Sequence, residues 1–271
     1  MPELPEVEAY RCLAVGALQR PIVSVTADDA WYLKGSLVAA GVVRALVGRC
    51  FVGARRIGKL LLLDTDGTDS AEGGPTLGLR FGMTGRLVVD GAAGVDRLLY
   101  SSARESPRFD RFAVAFVDGG SLVMRDPRRL GGVSLDPEEE ALGPDALEVT
   151  PARFRAALAS AAPLKACLMD QRRLAGVGNL LADEILWRAG LNPARPALSL
   201  TPAEVRRLHR HLRTTMVDLI ARGGSHTGDL MAERVPGGHC PRDATALCRT
   251  RIGGRTTWWC PTHQPNDGEL P

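Results

Sequence analysis

Lysine is scarce in this sequence. Only three of its 34 basic residues are lysines, namely Lys34, Lys59 and Lys165, and the net charge is only +3. The chain is therefore not uniformly basic, and an arginine-rich composition is what a GC-rich genome would produce. Because lysine and arginine present their charge differently, each of the three lysines becomes a candidate for a specific role.

Long apolar runs are also absent. No stretch of eighteen apolar residues occurs, and no basic region followed by an apolar stretch stands at the N-terminus. The sequence therefore predicts that the chain has no membrane span and no secretory signal, and we expect a cytoplasmic location. With 271 residues, 45% of them hydrophobic, the chain can still bury a core and form two domains.

Cysteines are few in the first two thirds of the chain and crowd into its tail. Cys12 and Cys50 stand apart in apolar surroundings and are interpreted as small core residues, as is Cys167. The remaining three, Cys240, Cys248 and Cys260, lie within 21 positions of one another. Clustering at one end indicates a metal site rather than disulfides.

The spacing in the tail predicts the ligands of that metal. Cys260 and His263 form a Cys-x2-His pair, and Asp243 lies at the corresponding distance from Cys240. Cys248 is the alternative to Asp243, because it is the softer ligand although its spacing is less regular. The last 40 residues have little apolar content, so a structural Zn²⁺, one per chain, would hold them together.

The pattern of apolar residues predicts an α+β fold. Val7, Tyr10, Ala14 and Leu18 recur at helical spacing after Pro5, which suits a first helical turn. Strands then dominate 21–64 and resume beyond a loop at 65–75, which indicates an antiparallel β-sandwich. The clearest strand segments are 21–25, 59–63, 76–80 and 86–90, with a hairpin at 114–124.

Helices replace strands after residue 135. Helix starts are indicated at Thr150-Pro151 and at Thr201, where Glu204 completes the spacing of a capping box. Two further helices are predicted at about 163–170 and 179–189, on either side of a glycine-containing loop. The acidic segment 136–140 is interpreted as a linker between domains. The resulting domains are a β-sandwich domain at 1–135, a helical domain at 136–226, and a metal hairpin with its tail at 227–271.

The N-terminus carries a candidate nucleophile. Removal of Met1 would leave Pro2 with a free secondary amine, which titrates near ~8 against ~10.4 for a lysine. Such an amine attacks an aldehydic carbon and forms a Schiff base. Glu3 stands beside it and Glu6 follows one helical turn later, so two carboxylates can move protons there. A plain helix start is the alternative interpretation.

Glycine-containing segments form four further candidate sites. Asn179 follows a loop ending in Gly176-Val177-Gly178, where it either caps a helix or donates its amide to an anion. Met83 lies between two glycines, which suggests an apolar side chain at a loop tip, although core packing is the alternative. Arg128 and Arg129 precede two glycines and suit an anion or a base edge. Arg255 lies in the predicted metal hairpin, where it suits a phosphate.

Several of these motifs occur together in one known family. They are Pro-Glu-Leu-Pro-Glu-Val-Glu at 2–8, Gly-Met-Thr-Gly at 82–85, Asp-Pro-Arg-Arg-Leu-Gly at 126–131, Leu-Met-Asp-Gln with Gly-Val-Gly-Asn at 168–179, and Gly-Arg-Thr-Thr-Trp-Trp-Cys-Pro at 254–261. The sequence resembles the formamidopyrimidine-DNA glycosylase / endonuclease VIII family of bifunctional base-excision enzymes, nearly end to end.

The resemblance implies an N-terminal helix with a β-sandwich, a helix–two-turns–helix domain and a zinc hairpin, with damaged double-stranded DNA bound between the domains. It implies that Pro2 forms the Schiff base on C1′ of a flipped nucleotide and that Glu3 handles protons. It also implies phosphate-binding roles for Lys59, Asn179 and Arg255. The side chains that fill the space of the extruded base would be Met83, Arg128 and Leu130. We expect a bacterial monomer that associates with the nucleoid when bound to DNA.

The chain departs from the family pattern in ways that bear on specificity. Leu130 stands where Phe is usual, Arg80 where the family has His, and Asp243 and His263 where it has zinc cysteines. The segment 225–239 is short, whereas the purine-repairing branch carries a loop there that caps 8-oxoguanine. We therefore expect β,δ-elimination activity on oxidised pyrimidines or a broad range of lesions, although the N-terminal motif is closer to the purine branch.

Three other interpretations are kept open. One is a glycosylase that prefers 8-oxoguanine or formamidopyrimidine. Another is a non-catalytic sensor of damaged DNA, which would need Met83 and Asn179 but neither Pro2 nor Glu3. A zinc-ribbon adaptor is the third, and it leaves the N-terminal motif unexplained.

Overall fold

A computed structural model describes residues 2–67, 73–95, 98 and 106–265. The chain divides into two compact units, Met1–Glu139 and Glu140–Pro271. Among the described helices, none combines the length and the apolar content needed to cross a membrane. The helices are α1 Leu4–Ala14, α2 Ala39–Leu46, α3 Pro151–Ala157, α4 Leu164–Met169, α5 Asn179–Ala189 and α6 Pro202–Ala221.

The strands of the N-terminal unit form two antiparallel sheets. They are β1 Ile22–Thr26, β2 Phe51–Ile57, β3 Leu60–Thr65, β4 Thr76–Arg80, β5 Arg86–Val89, β6 Ala92–Ala93, β7 Asp110–Phe116, β8 Ser121–Arg125 and β9 Gly132–Leu135. One sheet has the order β1-β7-β8-β5-β6 and the other β2-β3-β4-β9. Both sheets contribute to one hydrophobic core, in which Phe51 of the second meets Phe116 of the first with ring centroids 6.4 Å apart. The predicted α+β fold with an antiparallel β-sandwich is confirmed.

Helix α1 forms where the sequence predicted it. Glu3 is its N-cap, and Glu3 and Glu6 form a reciprocal capping box. Val7, Tyr10 and Ala14 are fully buried, which confirms the helical stripe as a core-facing surface. Helix α1 packs against β2, β3 and β5 of the sandwich. The stripe ends at Ala14, because a single 3-10 turn follows.

Helix α2 corrects the expectation of strands through 21–64. Gly41 and two adjacent valines give this segment weak helical propensity. Val42 and Leu46, however, are both fully buried at a spacing of four residues, so one helical face enters the core. Burial of that face in the core decides the conformation.

The predicted helix starts of the C-terminal unit are confirmed. The Thr150 hydroxyl accepts a hydrogen bond from the backbone N–H of Arg153, and Thr201 and Glu204 form a capping box. Leu208, Leu212, Met216 and Leu219 form a stripe along α6, and their side chains are fully buried. A two-stranded hairpin, β10 Cys248–Ile252 and β11 Arg255–Trp259, follows the helices.

A buried ionic network attaches this hairpin to the helices. Lys165 of α4 lies 2.7 Å from the carboxylate of Asp183 on α5, and both side chains are fully buried. The Lys165 ammonium also donates to the Thr256 carbonyl at 3.0 Å and to the Thr257 hydroxyl at 2.9 Å in β11. Arg234 pairs with the other Asp183 oxygen at 2.8 Å. One carboxylate thus neutralises two buried cations.

We expect Asp183→Asn to destabilise the C-terminal unit by about 3–5 kcal/mol, because it leaves two buried cations without a counter-charge. The free energy of unfolding from urea titration measures the effect. Asp170→Asn is the matched control, since Asp170 pairs with Arg173 at 3.5 Å in an exposed position, and it should cost less than about 1 kcal/mol. Equal effects of the two substitutions would contradict the role of Asp183.

Candidate functional site

Two buried carboxylates lie beside residue 2. The backbone N–H of Glu3 donates to Oε2 of Glu6 at 2.8 Å, so the capping box that starts α1 also fixes the two side chains relative to each other. Glu3 is 0% exposed and Glu6 is 2% exposed, and Pro2 is buried with them. The structure therefore brings together the three N-terminal residues that the sequence singled out.

An ion pair joins α1 to the turn that carries Lys59. Arg56 of β2 donates from Nε to the Glu8 carboxylate at 2.9 Å and from Nη1 to the Gly58 carbonyl at 3.0 Å. Burial opposes the charge on Glu8, but Arg11 and Arg56 outweigh it and hold the pKa of Glu8 below its usual value. Sequence reasoning missed Arg56, since nothing in its neighbourhood distinguishes it from the other arginines.

Tyr10 connects the same helix to the turn around Met83. Its hydroxyl donates to the Gly85 carbonyl at 3.3 Å, and its ring lies against Phe81 with centroids 4.4 Å apart. Burial raises the pKa of Tyr10 well above its usual range, so the hydroxyl remains protonated and can donate. Helix α1 therefore contacts both ends of the Phe81–Gly85 segment.

Two loops, 81–85 and 126–131, meet at the buried carboxylate of Asp126. Its Oδ1 accepts from the Thr84 hydroxyl at 2.5 Å and from the Arg128 N–H at 3.2 Å. Its Oδ2 accepts from the Gly131 N–H at 2.8 Å. The first loop carries Met83 and the second carries Arg128 and Leu130, so one carboxylate holds together the loops of the three residues predicted to fill the space of the extruded base.

The exposed side chains of these loops point to a contact surface. Leu130 is 50% exposed, Met83 is partly exposed and Arg128 is exposed. Core packing, the alternative for Met83, is not what the structure shows, because its side chain is only partly buried. The neighbouring Arg129 is bound instead by Asp29, with oxygens at 2.7 and 2.5 Å.

Arg80 stands exposed at the end of β4, just before the first of these loops. Burial of part of its side chain lowers the pKa of Arg80, which nevertheless keeps its charge near neutral pH.

In the C-terminal unit, the side chain of Gln171 shapes the loop before α5. It donates to the carbonyls of Met169 and Val177 at 2.8 and 2.9 Å and accepts from the Gly176 N–H at 3.0 Å. The N-cap of α5 is Gly178, so Asn179 is the first helical residue and its interpretation as a helix cap is wrong. The buried Oδ1 of Asn179 accepts no hydrogen bond from the residues described.

Arg255 lies at the start of β11, directly after the hairpin turn. Gly253 and Gly254 form this turn with φ of 55° and 75°, which suits a two-residue hairpin connection. The register pairs Ile252 with Arg255, and the Arg255 side chain is exposed. A rigid two-residue turn therefore presents this guanidinium to solvent.

Three predicted metal ligands converge in the tail. One ligand atom each from Cys240, Asp243 and Cys260 lies within 4.8 Å of the others. Trp187 donates its ring N–H to the Cys240 sulfur at 3.3 Å, and the His263 backbone N–H donates to the Cys260 sulfur at 3.2 Å. Two thiol sulfurs that receive N–H donors, with a carboxylate beside them, form a donor set that fits a borderline-soft cation.

The expected fourth ligand is not part of this cluster. Nε2 of His263 lies 2.8 Å from the Trp187 carbonyl and 2.9 Å from a guanidinium nitrogen of Arg242. Cys248, the alternative to Asp243, pairs with Trp259 in the hairpin and also lies outside the cluster.

Acidity differs sharply within the cluster. The Thr245 backbone N–H lowers the pKa of Asp243 to about 2, so that carboxylate is ionised at neutral pH. Burial raises the pKa of Cys260 to about 11, so that thiol keeps its proton at neutral pH and would release it when a cation binds.

Comparison with known proteins assigns the family. Residues 1–133 match the formamidopyrimidine-DNA glycosylase N-terminal domain, and residues 141–230 match the H2TH domain of the same enzymes. The chain is 36% identical to formamidopyrimidine-DNA glycosylase of Thermus thermophilus, with all of both chains covered. It is 34% identical to that of Chloroflexus aggregans, covering 97% of this chain and 98% of the relative.

Solved structures agree with these sequence matches. The structure of Lactococcus lactis Fpg (MutM) with DNA that contains an oxidised pyrimidine is similar, with a TM-score of 0.79 and 25% identity. That match covers 98% of this chain and 100% of the other. A complex of the same protein with abasic-site DNA gives a TM-score of 0.78 at 24% identity.

The predicted family and enzyme class are thus confirmed by two independent kinds of similarity. The chain belongs to the formamidopyrimidine-DNA glycosylase family, and it is a DNA glycosylase and AP lyase of base-excision repair.

Proposed function

We propose that the enzyme removes oxidised bases from duplex DNA through a Schiff base on Pro2. The amine of Pro2 attacks C1′ of the damaged nucleotide, the N-glycosidic bond breaks, and the base leaves. The imine then permits β-elimination at the 3′ side and δ-elimination at the 5′ side. The observation that supports this mechanism is the burial of Glu3 and Glu6 next to residue 2, where they are placed to accept and return protons.

The other predicted site residues receive roles that suit their positions. Lys59, Asn179 and Arg255 bind phosphates of the damaged strand, and Asn179 does so by donating from its amide NH2 group. Met83, Arg128 and Leu130 occupy the space left by the extruded base. The enzyme acts as a monomer.

We propose that oxidised pyrimidines are preferred substrates. The segment 225–239 is short and is held to α5, because the Glu184 carboxylate accepts from the backbone N–H groups of Asp229 and Leu230 at 3.0 Å each. Arg234 of the same segment pairs with Asp183. These contacts hold the short segment against α5, which supports the proposal that no long loop closes over a purine lesion.

A preference for formamidopyrimidine or 8-oxoguanine is the second candidate. It is favoured by the relatives, which carry the name formamidopyrimidine-DNA glycosylase at up to 36% identity over the whole chain.

We further propose one structural Zn²⁺ per chain. Cys240, Asp243 and Cys260 would bind it, and His263 would complete the set by exchanging the Trp187 carbonyl for the metal. The ion would cross-link the tail and hold the hairpin that presents Arg255. The three predicted domains, 1–135, 136–226 and 227–271, would then correspond to the catalytic sandwich, the helix–two-turns–helix and the zinc hairpin.

Borohydride trapping tests the Schiff base. The wild-type enzyme should form a covalent complex with abasic duplex DNA, and Pro2→Leu with Met1 retained should lower the yield at least about 100-fold, since residue 2 then has only an amide nitrogen. Intact mass establishes the state of the N-terminus. Pro5→Ala is the control, because it changes a proline of the same helix start without blocking the amine. Equal trapping by Pro2→Leu and the wild type would refute the mechanism.

A panel of defined lesions tests the substrate. Dihydrouracil and thymine glycol should be excised faster than 8-oxoguanine in the same sequence context, by about tenfold or more in single-turnover rate. Oligonucleotides with each lesion opposite its usual partner measure this directly. Faster removal of 8-oxoguanine would instead establish the second candidate.

Elemental analysis tests the metal. We expect about one zinc per chain, lost in Cys260→Ser together with thermal stability, because the ion supplies the cohesion of the tail. Cys248→Ser is the matched control and should retain the metal. Loss of zinc in Cys248→Ser but not in Asp243→Asn would assign the site to Cys248.

A further inference from the structure

We propose that Asp126 is a positioning residue that assembles Met83, Arg128 and Leu130 into one preformed wedge before DNA is bound. The inference rests on the proposed role of these three side chains in base extrusion. Asp126 itself is 0% exposed, so it acts through the loops it holds and not by touching the DNA.

Loops 81–85 and 126–131 both cross between the two sheets, which explains why they need a shared contact to hold them in place. Loop 81–85 leads from β4 in the four-stranded sheet to β5 in the five-stranded sheet. Loop 126–131 returns from β8 in the five-stranded sheet to β9 in the four-stranded sheet. Both are crossovers between sheets, and no ladder of strand hydrogen bonds continues through either of them.

The Asp126 carboxylate supplies the missing connection. It accepts one hydrogen bond from the Thr84 side chain in the first loop and two from the backbone N–H groups of Arg128 and Gly131 in the second. The backbone of Asp126 is fixed in turn, because its N–H donates to the Phe109 carbonyl at 2.8 Å and its carbonyl accepts from Arg111 Nε at 2.9 Å. Charge-assisted bonds of this kind are stronger than neutral ones.

Close backbone contact shows that the loops form one unit. A side chain on Gly82, which has φ of +56°, would place its Cβ 2.4 Å from the Leu130 carbonyl carbon. A Cβ on Gly131 would lie 2.4 Å from the Arg80 carbonyl oxygen and 2.5 Å from the Tyr32 hydroxyl. Only glycine permits this approach at either position, so movement of one loop requires movement of the other.

Asparagine at position 126 cannot replace the carboxylate. The two oxygens of Asp126 accept from backbone N–H groups on different sides, at Arg128 and at Gly131. An amide offers one oxygen, and its NH2 group would then face one of those N–H donors. The loops would lose one of their fixed bonds while the volume and shape of the side chain stay the same.

The test measures base unstacking separately from chemistry. A 2-aminopurine opposite the lesion reports how far the wedge enters the stack when enzyme is saturating. We expect a large fluorescence rise with the wild type and about a tenfold smaller rise with Asp126→Asn, because the wedge is no longer preformed. Pro2→Leu should keep the full rise, so failure of the Schiff-base chemistry and failure of this proposal give different results.

Thr84→Val provides a second variant in case Asp126→Asn does not fold. It removes the hydroxyl that joins the two loops and should also lower the rise, and Thr84→Ser should restore it. Thr76→Val is the matched control, since the Thr76 hydroxyl donates to the Asp64 carboxylate at 2.8 Å at the opposite end of β4. It should alter stability as Thr84→Val does but leave the fluorescence rise intact.

Enzyme kinetics provides a second measurement, which would be unchanged if Asp126 only stabilised the fold. The ratio of excision from paired duplex to cleavage of an abasic site should fall about tenfold in Asp126→Asn, because extrusion is hardest for a base that is still paired. The proposal would be overturned if folded Asp126→Asn and Thr84→Val gave the same fluorescence rise as the wild type. It would also be overturned if Asp126→Asn lost base excision and abasic-site cleavage to the same extent.

Discussion

The arrangement of the N-terminal unit depends on the buried carboxylate of Asp126. This carboxylate accepts hydrogen bonds from the Thr84 hydroxyl and from the backbone of its own loop. A buried charge is tolerated only when donors surround it, so the loops must adopt the conformation that supplies them. The shape of the predicted DNA-contacting surface follows from that requirement.

Helix α1 connects these loops to Pro2, the proposed nucleophile. Tyr10 binds the end of the Met83 loop through the Gly85 carbonyl, and Arg56 binds Glu8 and the turn that holds Lys59. The first turn of α1 carries Glu3 and Glu6, both buried. A chain terminus is ordinarily mobile, and these contacts explain how residues so close to the end of the chain keep a defined position.

The C-terminal unit holds its hairpin, which carries Arg255, in place partly by ionic contacts. Its hairpin buries Ile252 and Trp258, and beside them Lys165 and Arg234 share the Asp183 carboxylate. The cluster of Cys240, Asp243 and Cys260 lies at the other end of the hairpin segment. Polar contacts and a group of side chains that could bind a metal thus support the hairpin that carries Arg255.

The sequence by itself determined most of the elements and the family, because local spacing carries both. The capping box at Thr201, the stripe along α6 and the Cys-x2 spacing each depend on residues a few positions apart. The N-terminal proline motif and the glycine-flanked Met83 likewise identified the family, which the comparisons confirmed.

Only the tertiary structure decided what depends on residues far apart in the chain. Asp126 meets Thr84 across 42 positions and Lys165 meets Thr257 across 92, and no local pattern marks such pairs. The helix at 39–46 formed against its propensity for the same reason, since burial of Val42 and Leu46 exists only in the folded core. His263 matched the metal spacing in sequence, but in the fold its ring lies against the Trp187 carbonyl in the last turn of α5.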